Sequence, residues 1–155
     1  MRILALIVVL LAGCGVSNDD RTSTCRHQYS TSIVMVGESG LVLEPSSYMF
    51  VTFQQIEQFY LETEACLGIV APGPVVTFYS FQLQGAPAYA GGWGITPEGF
   101  SQVSINTDNP YERRNCEFDE GTLRHEYVHH LLHASGFSPA DNLGHLTPLF
   151  GLCGL

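Results

Sequence analysis

The chain has 155 residues and a mass of 17.0 kDa, which is the size of a single domain. It contains no lysine and carries six arginines against 15 acidic residues, so its formal net charge is −9. This balance excludes nucleic-acid binding and polybasic attachment to anionic lipids, because both require a basic surface. With 45% hydrophobic and only 14% charged residues, the chain is also too apolar to be disordered.

The N-terminus has the pattern of an export signal. One arginine precedes an apolar run from Ile3 to Ala12, about half the length that crosses a bilayer. The Leu-Ala-Gly-Cys sequence that ends at Cys14 resembles the lipobox of bacterial lipoproteins. The resemblance implies that residues 1–13 are a signal peptide and that Cys14 is acylated, anchoring the protein in the bacterial envelope. Gly15 after the cysteine favours the outer membrane or cell surface. An ordinary secretory signal is the alternative.

A polar stretch separates this signal from the domain. Residues 14–32 are rich in Ser, Thr, Asn and Asp without an apolar period, so we predict a flexible tether there and a domain over residues 33–155. The four remaining cysteines form an even set in an oxidising compartment, which predicts two disulfides in one of three connectivities. The pairs we favour are Cys25–Cys66 and Cys116–Cys153.

The domain begins with a predicted hairpin and helix. Short β-prone runs at Ile33–Val36 and Leu41–Leu43 flank a Gly-Glu-Ser-Gly turn. Thr52, followed three residues later by a glutamine, has the form of a capping box. Apolar residues then recur at helical spacing until Gly68, which predicts an amphipathic helix between these two residues.

Three strands and a second helix follow. Val75–Leu83 is apolar on both faces, which predicts a central strand. Tyr89–Thr96 and Gln102–Asn106 predict two further strands joined by a Pro-Glu-Gly turn, the second of them half-buried or at an edge. A helix is predicted from about Asp119 to Ala134. The residues after it contain several glycines and prolines, so we predict that they form an irregular arm. The fold class is therefore α+β, with a small, mostly antiparallel sheet and a backing helix.

The second predicted helix contains the pattern His-Glu-x-x-His. His125 and His129 are four residues apart, so they lie on one helix face about 6 Å apart along the axis and can reach a single ion. Glu126 projects beside them and can act on a water molecule at that ion without binding the ion itself. This spacing predicts a zinc site of the catalytic type.

In this motif the chain resembles the zincin metallopeptidases. The order of helix, strands and motif helix over residues 52–134 is similar to the upper half of a zincin domain, and the motif region is similar to small bacterial lipoproteins regarded as peptidases. The resemblance implies that His125 and His129 bind zinc, that Glu126 is the general base, and that a peptide substrate lies along an edge strand.

The third zinc ligand departs from both large zincin groups. A metzincin would have glycine in place of Leu132 and histidine or aspartate in place of Ser135, and a gluzincin would supply a later glutamate, which this chain lacks. The donors available after the motif are His130, His133, Asp141 and His145. The helix must end before the chain can turn back, which leaves Asp141 and His145. We favour His145, because imidazole is the commoner zinc donor; Asp141 is then the alternative ligand, or it orients a ligand imidazole.

These residues predict a monomeric, membrane-tethered zinc peptidase that acts on peptide or protein substrates. The alternative is a non-catalytic envelope lipoprotein in which zinc is structural or absent; an open fourth position favours the enzyme and four protein ligands favour the structural site. The residues considered as a second donor to the oxyanion are Tyr89, Tyr127 and Arg124. The glycine-rich segment around Trp93 either lines a substrate cleft or forms a strand bend.

Overall fold

The computed structural model describes residues 29–49, 51–79, 91–107 and 120–152, which form an α+β fold as predicted. The strands are β1 (Tyr29–Thr31), β2 (Met35–Val36), β3 (Val42–Leu43), β4 (Ser46–Met49), β5 (Val75–Tyr79), β6 (Gly91–Ile95) and β7 (Ser101–Asn106). The helices are α1 (Phe53–Leu67), α2 (Glu120–Ala134) and the short α3 (Pro139–Leu143), followed by a 3₁₀ turn at Pro148–Gly151.

Five strands form one mixed sheet in the order β2-β3-β5-β7-β6. The strand β5 occupies the central position that its apolar sequence predicted, and it runs parallel to β3 and β7. The two predicted hairpins are present as the antiparallel pairs β2–β3 and β6–β7. With the separate pair β1–β4, antiparallel pairs outnumber parallel ones by three to two in the described residues. The edge strand beside β7 is β6, so β7 is internal and half-buried.

Helix α1 begins and ends at the predicted residues. The Thr52 side chain accepts a hydrogen bond from the Gln55 backbone N–H, and the Gln55 side chain accepts one from the Thr52 N–H at 2.9 Å. At the other end Gly68 has φ +68°, and its N–H donates to the carbonyl of Glu64. Both caps satisfy backbone groups that the helix leaves without partners, which is why these local signals locate it well.

Helices α1 and α2 cover one face of the sheet. Alternate residues of β5 and β7 point to this face and join a single buried core with both helices. Its main sheet and helix members are Val76, Phe78, Val103, Ile105, Ile56, Tyr60, Leu123, Tyr127 and Leu131. The rings of Tyr60 and Tyr127 meet edge to face at 5.2 Å, and the Tyr127 hydroxyl donates to the Ile56 carbonyl at 3.2 Å. These contacts fix both the position and the rotation of α2, which carries the motif.

Two sequence predictions need correction. The tether was predicted to extend to residue 32, yet Tyr29–Thr31 pair with β4, a strand that the sequence did not predict. The C-terminal arm was predicted to be irregular, yet it contains α3 and a 3₁₀ turn. Both elements are capped locally. At the start of α3 the Ser138 hydroxyl accepts a hydrogen bond from the Asp141 N–H, and at the start of the 3₁₀ turn the Thr147 hydroxyl accepts one from the Leu149 N–H.

Several predictions fall outside the described residues. They concern the signal peptide, the lipidation site Cys14, the end of the strand after Tyr79, and most of the tether. Cys66 is disulfide-bonded, but the other four cysteines lie outside the described ranges, so the two pairings stay predictions. None of the helices in the described residues is long and apolar enough to cross a membrane.

Candidate metal centre

Three histidines form a group that could hold a metal ion. His125 and His129 come from α2, and His145 comes from the turn after α3. One ring nitrogen from each lies within 4.8 Å of the others. The Nε2 atom of His145 is 3.1 Å from the Nε2 of His125 and 3.1 Å from the Nε2 of His129. The structure therefore brings together the three residues that the sequence predicted as ligands.

The spacing and charge of this group suit a metal. Two nitrogens that bind zinc at tetrahedral angles lie about 3.3–3.4 Å apart, since each Zn–N bond is about 2.0–2.1 Å long. Burial and the neighbouring imidazoles lower the pKa of His125 to about 4, and burial also lowers the pKa of His129. Both imidazoles are therefore neutral at neutral pH, which is the form that binds a metal.

The turn after α3 presents His145 in an unusual backbone conformation. Its φ is +53°, and it is the one residue other than glycine in the described ranges with a positive φ. The turn is held by hydrogen bonds from the His145 N–H to the Asn142 carbonyl at 3.3 Å and from the Leu146 N–H to the Asp141 carbonyl at 3.1 Å. A left-handed conformation costs free energy outside glycine, and such residues cluster at functional sites.

The contact that orients a ligand imidazole, which the sequence assigned to Asp141, is made by Asn142. The Asp141 carboxylate is exposed and accepts a hydrogen bond at 2.6 Å from the hydroxyl of Ser138, the residue that caps α3. It therefore does not contact the imidazoles. The Asn142 side chain is buried and lies 2.8 Å from the Nδ1 of His129. The sequence offered a usable signal, because Ser138-Pro-Ala-Asp141 has the form of a capped helix start, which occupies the aspartate.

A phenylalanine that the sequence did not single out closes one flank of the group. The ring centroid of Phe150 lies 5.0, 4.7 and 4.6 Å from the centroids of His125, His129 and His145 respectively. Phe150 packs with Val128 and Leu132, which lie on one side of the ligand stripe on α2. Helical geometry places Glu126 on the other side, so the flank away from Phe150 is the one that Glu126 faces.

Glu126 is buried under the edge strand. Only 8% of its surface is exposed, and this burial raises the pKa of its carboxyl to about 7. The strand β6 crosses α2 closely here, because a Cβ atom added to Gly91 would lie 3.2 Å from the Cγ of Glu126. A carboxyl with a pKa near neutrality can both accept and release a proton, which is the property required of a general base.

Trp93 packs against two histidines of α2. It is the only tryptophan of the chain, and its ring stacks on His129 with centroids 6.0 Å apart and an interplanar angle of 18°. The exposed ring of His133 lies 5.2 Å from it. The glycine-rich segment therefore lies beside the histidine group, and its role as a cleft wall stays a prediction. The segment itself is a regular strand, β6.

A directed chain of hydrogen bonds holds this tryptophan in place. Its Nε1–H donates to the Ser101 hydroxyl at 2.8 Å, and that oxygen lies 2.7 Å from the Nδ1 of His130. The Nε2 of His130 lies 2.9 Å from the Pro72 carbonyl, which can only accept, so His130 donates from Nε2 and accepts at Nδ1. His130 is thus a buried structural residue, consistent with its exclusion as a ligand.

Two of the three oxyanion candidates are engaged elsewhere. Tyr127 is fully buried and donates to the Ile56 carbonyl, and Arg124 forms ion pairs with Glu62 and Glu120 and lies over the Phe59 ring. Tyr89 lies outside the described residues. Neither Tyr127 nor Arg124 is therefore placed to donate to a substrate.

No protein-family model, no curated protein and no solved structure matches this chain.

Proposed function

We propose that the protein is a zinc-dependent peptidase anchored in the bacterial envelope through Cys14. The observation that carries this proposal is the convergence of three imidazole nitrogens, two of them from α2, with a buried carboxyl that also comes from α2. His125, His129 and His145 supply three imidazole nitrogen donors, and Glu126 lies on the flank opposite Phe150. Three nitrogen donors with an adjacent carboxylate are the usual requirements of a catalytic zinc site.

A bound zinc ion would supply a water molecule of lowered pKa and a positive charge for the carbonyl oxygen of the substrate. Glu126 would accept a proton from the attacking water and would return that proton to the leaving amine. The amide C–N bond breaks, and the products are a carboxylate and a free amine. Burial suits Glu126 to both steps, because it keeps the carboxyl pKa near neutrality.

The position of β6 supports a peptide as the substrate. In the described part of the chain β6 pairs with β7 on one side only, and it crosses α2 at Glu126. An extended peptide can pair with such an edge through its main chain, which brings a peptide bond beside the carboxyl. We propose a monomer, because a site on one helix and one arm needs no residue from a second copy.

A non-catalytic lipoprotein with a structural zinc ion is the second candidate. The left-handed turn at His145 and the packing of Phe150 against all three rings suit a rigid structural site equally well. What separates the two is a fourth protein ligand. Among the described residues the group contains three candidate donors, and this favours the enzyme.

The test is the Glu126→Gln variant of the full chain, with Glu120→Gln as the matched control. Glu120 is an exposed glutamate at the start of the same helix, so its variant removes one charge from α2 without touching the site. We expect Glu126→Gln to abolish hydrolysis of casein or a peptide library while zinc content stays near one per chain. Glu120→Gln should retain both. Full activity in Glu126→Gln would refute the mechanism, and zinc binding without any hydrolysis in the unmutated chain would favour the structural site.

A further inference from the structure

Asn142 contacts the ligand His129 with both ends of its side-chain amide. Its Oδ1 lies 2.8 Å from the Nδ1 of His129, and its Nδ2 donates to the His129 backbone carbonyl at 2.8 Å. Only 1% of Asn142 is exposed, so water does not compete for either contact. A carbonyl oxygen can only accept, which means that the NH₂ end of the amide faces it and the oxygen end faces the imidazole.

This orientation determines which nitrogen of His129 carries the proton. The Asn142 oxygen can only accept, so the Nδ1 of His129 must donate, and its Nε2 keeps a free lone pair. That Nε2 is the atom that points at His145 within the group of three. The hydrogen bond thus prepares His129 as a metal ligand before any metal binds.

The backbone of Asn142 also holds the turn that carries the third ligand. Its carbonyl accepts from the His145 N–H at 3.3 Å, and its own N–H donates to the Ser138 carbonyl at 3.0 Å. One residue therefore contacts both the ring of His129 and the backbone of His145.

We infer that Asn142 is the positioning residue that sets the tautomer of His129 and the place of His145 at the metal site. The inference rests on the proposed function for its purpose, since it assumes that the three imidazoles bind zinc. It predicts that zinc affinity depends on the acceptor that faces His129, and that the donor to the His129 carbonyl contributes mainly to stability; each contact is 2.8 Å long. An aspartate keeps the acceptor for His129 and loses the donor, whereas an alanine loses both.

These differences give three variants of the full chain with distinct expectations. Asn142→Ala should lower zinc affinity by about 10–100-fold, as loss of an orienting partner of a ligand histidine typically does. Asn142→Asp should restore most of that affinity while its metal-free melting temperature stays below that of the unmutated chain. Asp141→Asn, the matched neighbour, should change zinc affinity by less than about twofold, because its side chain contacts Ser138 and none of the imidazoles.

Two measurements test the inference apart from catalysis. Long-range ¹H–¹⁵N NMR of the metal-free chain should show His129 protonated at Nδ1, and this fraction should fall in Asn142→Ala. Zinc affinity is measured by competition with a chelator, and the zinc-induced rise in melting temperature is compared with the change in metal-free stability. A purely structural role would lower the metal-free stability and leave the zinc-induced rise intact.

Each result decides one question. An Nε2-protonated His129 in the unmutated chain overturns the inference even if no variant folds, and so does Asn142→Ala with unchanged zinc affinity. If zinc affinity depends on Asn142 but the protein hydrolyses no peptide, the inference stands and the proposed peptidase function is wrong.

Discussion

The contact between β6 and α2 can be tested by adding a single methyl group at Gly91. An alanine there would place its Cβ 2.6 Å from the Cγ2 of Thr122 and 3.2 Å from both the Cγ of Glu126 and the Cδ1 of Ile105. A heavy-atom contact of 2.6 Å is not tolerated, so one of the two elements must shift. Thr122 has little freedom to turn away, because a threonine in a helix has two favoured χ1 rotamers.

The expected cost follows from two opposing effects. Overpacking a well-packed contact costs about 1–3 kcal/mol, whereas replacing a glycine by alanine at a compatible backbone gains about 0.4–1 kcal/mol through the unfolded state. We therefore expect Gly91→Ala to lower the free energy of unfolding by about 1.3 kcal/mol at the middle of both ranges, and by at most about 2.6 kcal/mol. Urea unfolding followed by the fluorescence of Trp93, the only tryptophan, measures this directly.

The same strand supplies the controls. Added Cβ atoms at Gly92 and Gly94 would have no described heavy atom within 4 Å, so alanine at either position should be neutral or stabilise by up to about 1 kcal/mol. Thr122→Ser removes the clashing methyl group and keeps the hydroxyl, so it should rescue Gly91→Ala. Because the clash also displaces β6 from Glu126, peptide hydrolysis should fall in Gly91→Ala and return in the double variant. A Gly91→Ala protein as stable as Gly92→Ala would refute the close packing of β6 on α2.

Three further predictions concern the metal and the membrane. Zinc at about 100-fold above its dissociation constant should stabilise the chain by about 2.7 kcal/mol in thermal or urea unfolding, and a chelator should reverse this. His145→Ala should remove that stabilisation and the activity together while Asp141→Ala keeps both; the opposite pattern would make Asp141 the ligand. Cys14→Ser should move the protein from the membrane to the soluble fraction, because acyl chains are the predicted anchor, and a variant that still sediments with membranes would contradict the lipobox interpretation.

The features that the sequence predicted well are those encoded within a few residues. The capping box at Thr52 and the left-handed Gly68 locate α1 because their hydrogen bonds close within one helical turn. The spacing of His125 and His129 likewise needs nothing beyond helical geometry. The central position of β5 followed from apolar residues on both faces, which only an interior strand tolerates.

The features that were missed depend on contacts between distant residues. The strands β1 and β4 pair Tyr29 with Met49, and the β2–β3 hairpin lies between them in the chain. The two strands have only three and four residues, which is too short to show an alternating pattern in the sequence. Phe150 could not be assigned to the site, because its position depends on how α3 and the 3₁₀ turn fold back onto Val128 and Leu132. Irregular segments of this kind have no hydrophobic periodicity from which their path could be predicted.

The proposed third ligand, His145, illustrates what elimination can predict from a sequence and what it cannot. The end of α2 at Ala134 removed the histidines inside the helix, and the preference of zinc for imidazole favoured His145 over Asp141, which agrees with the group of three in the structure. The same elimination did not identify Asn142 as the partner of His129. Asp141 and Asn142 are neighbours in a short helix, so their side chains point about 100° apart and only one of them can face His129. Ser138 caps α3, and its hydroxyl donates a hydrogen bond to the Asp141 carboxylate. The side chain of the next residue, Asn142, therefore points inward to His129. The capping hydrogen bond of α3 and the hydrogen bond between Asn142 and His129 are therefore set by the same helical register.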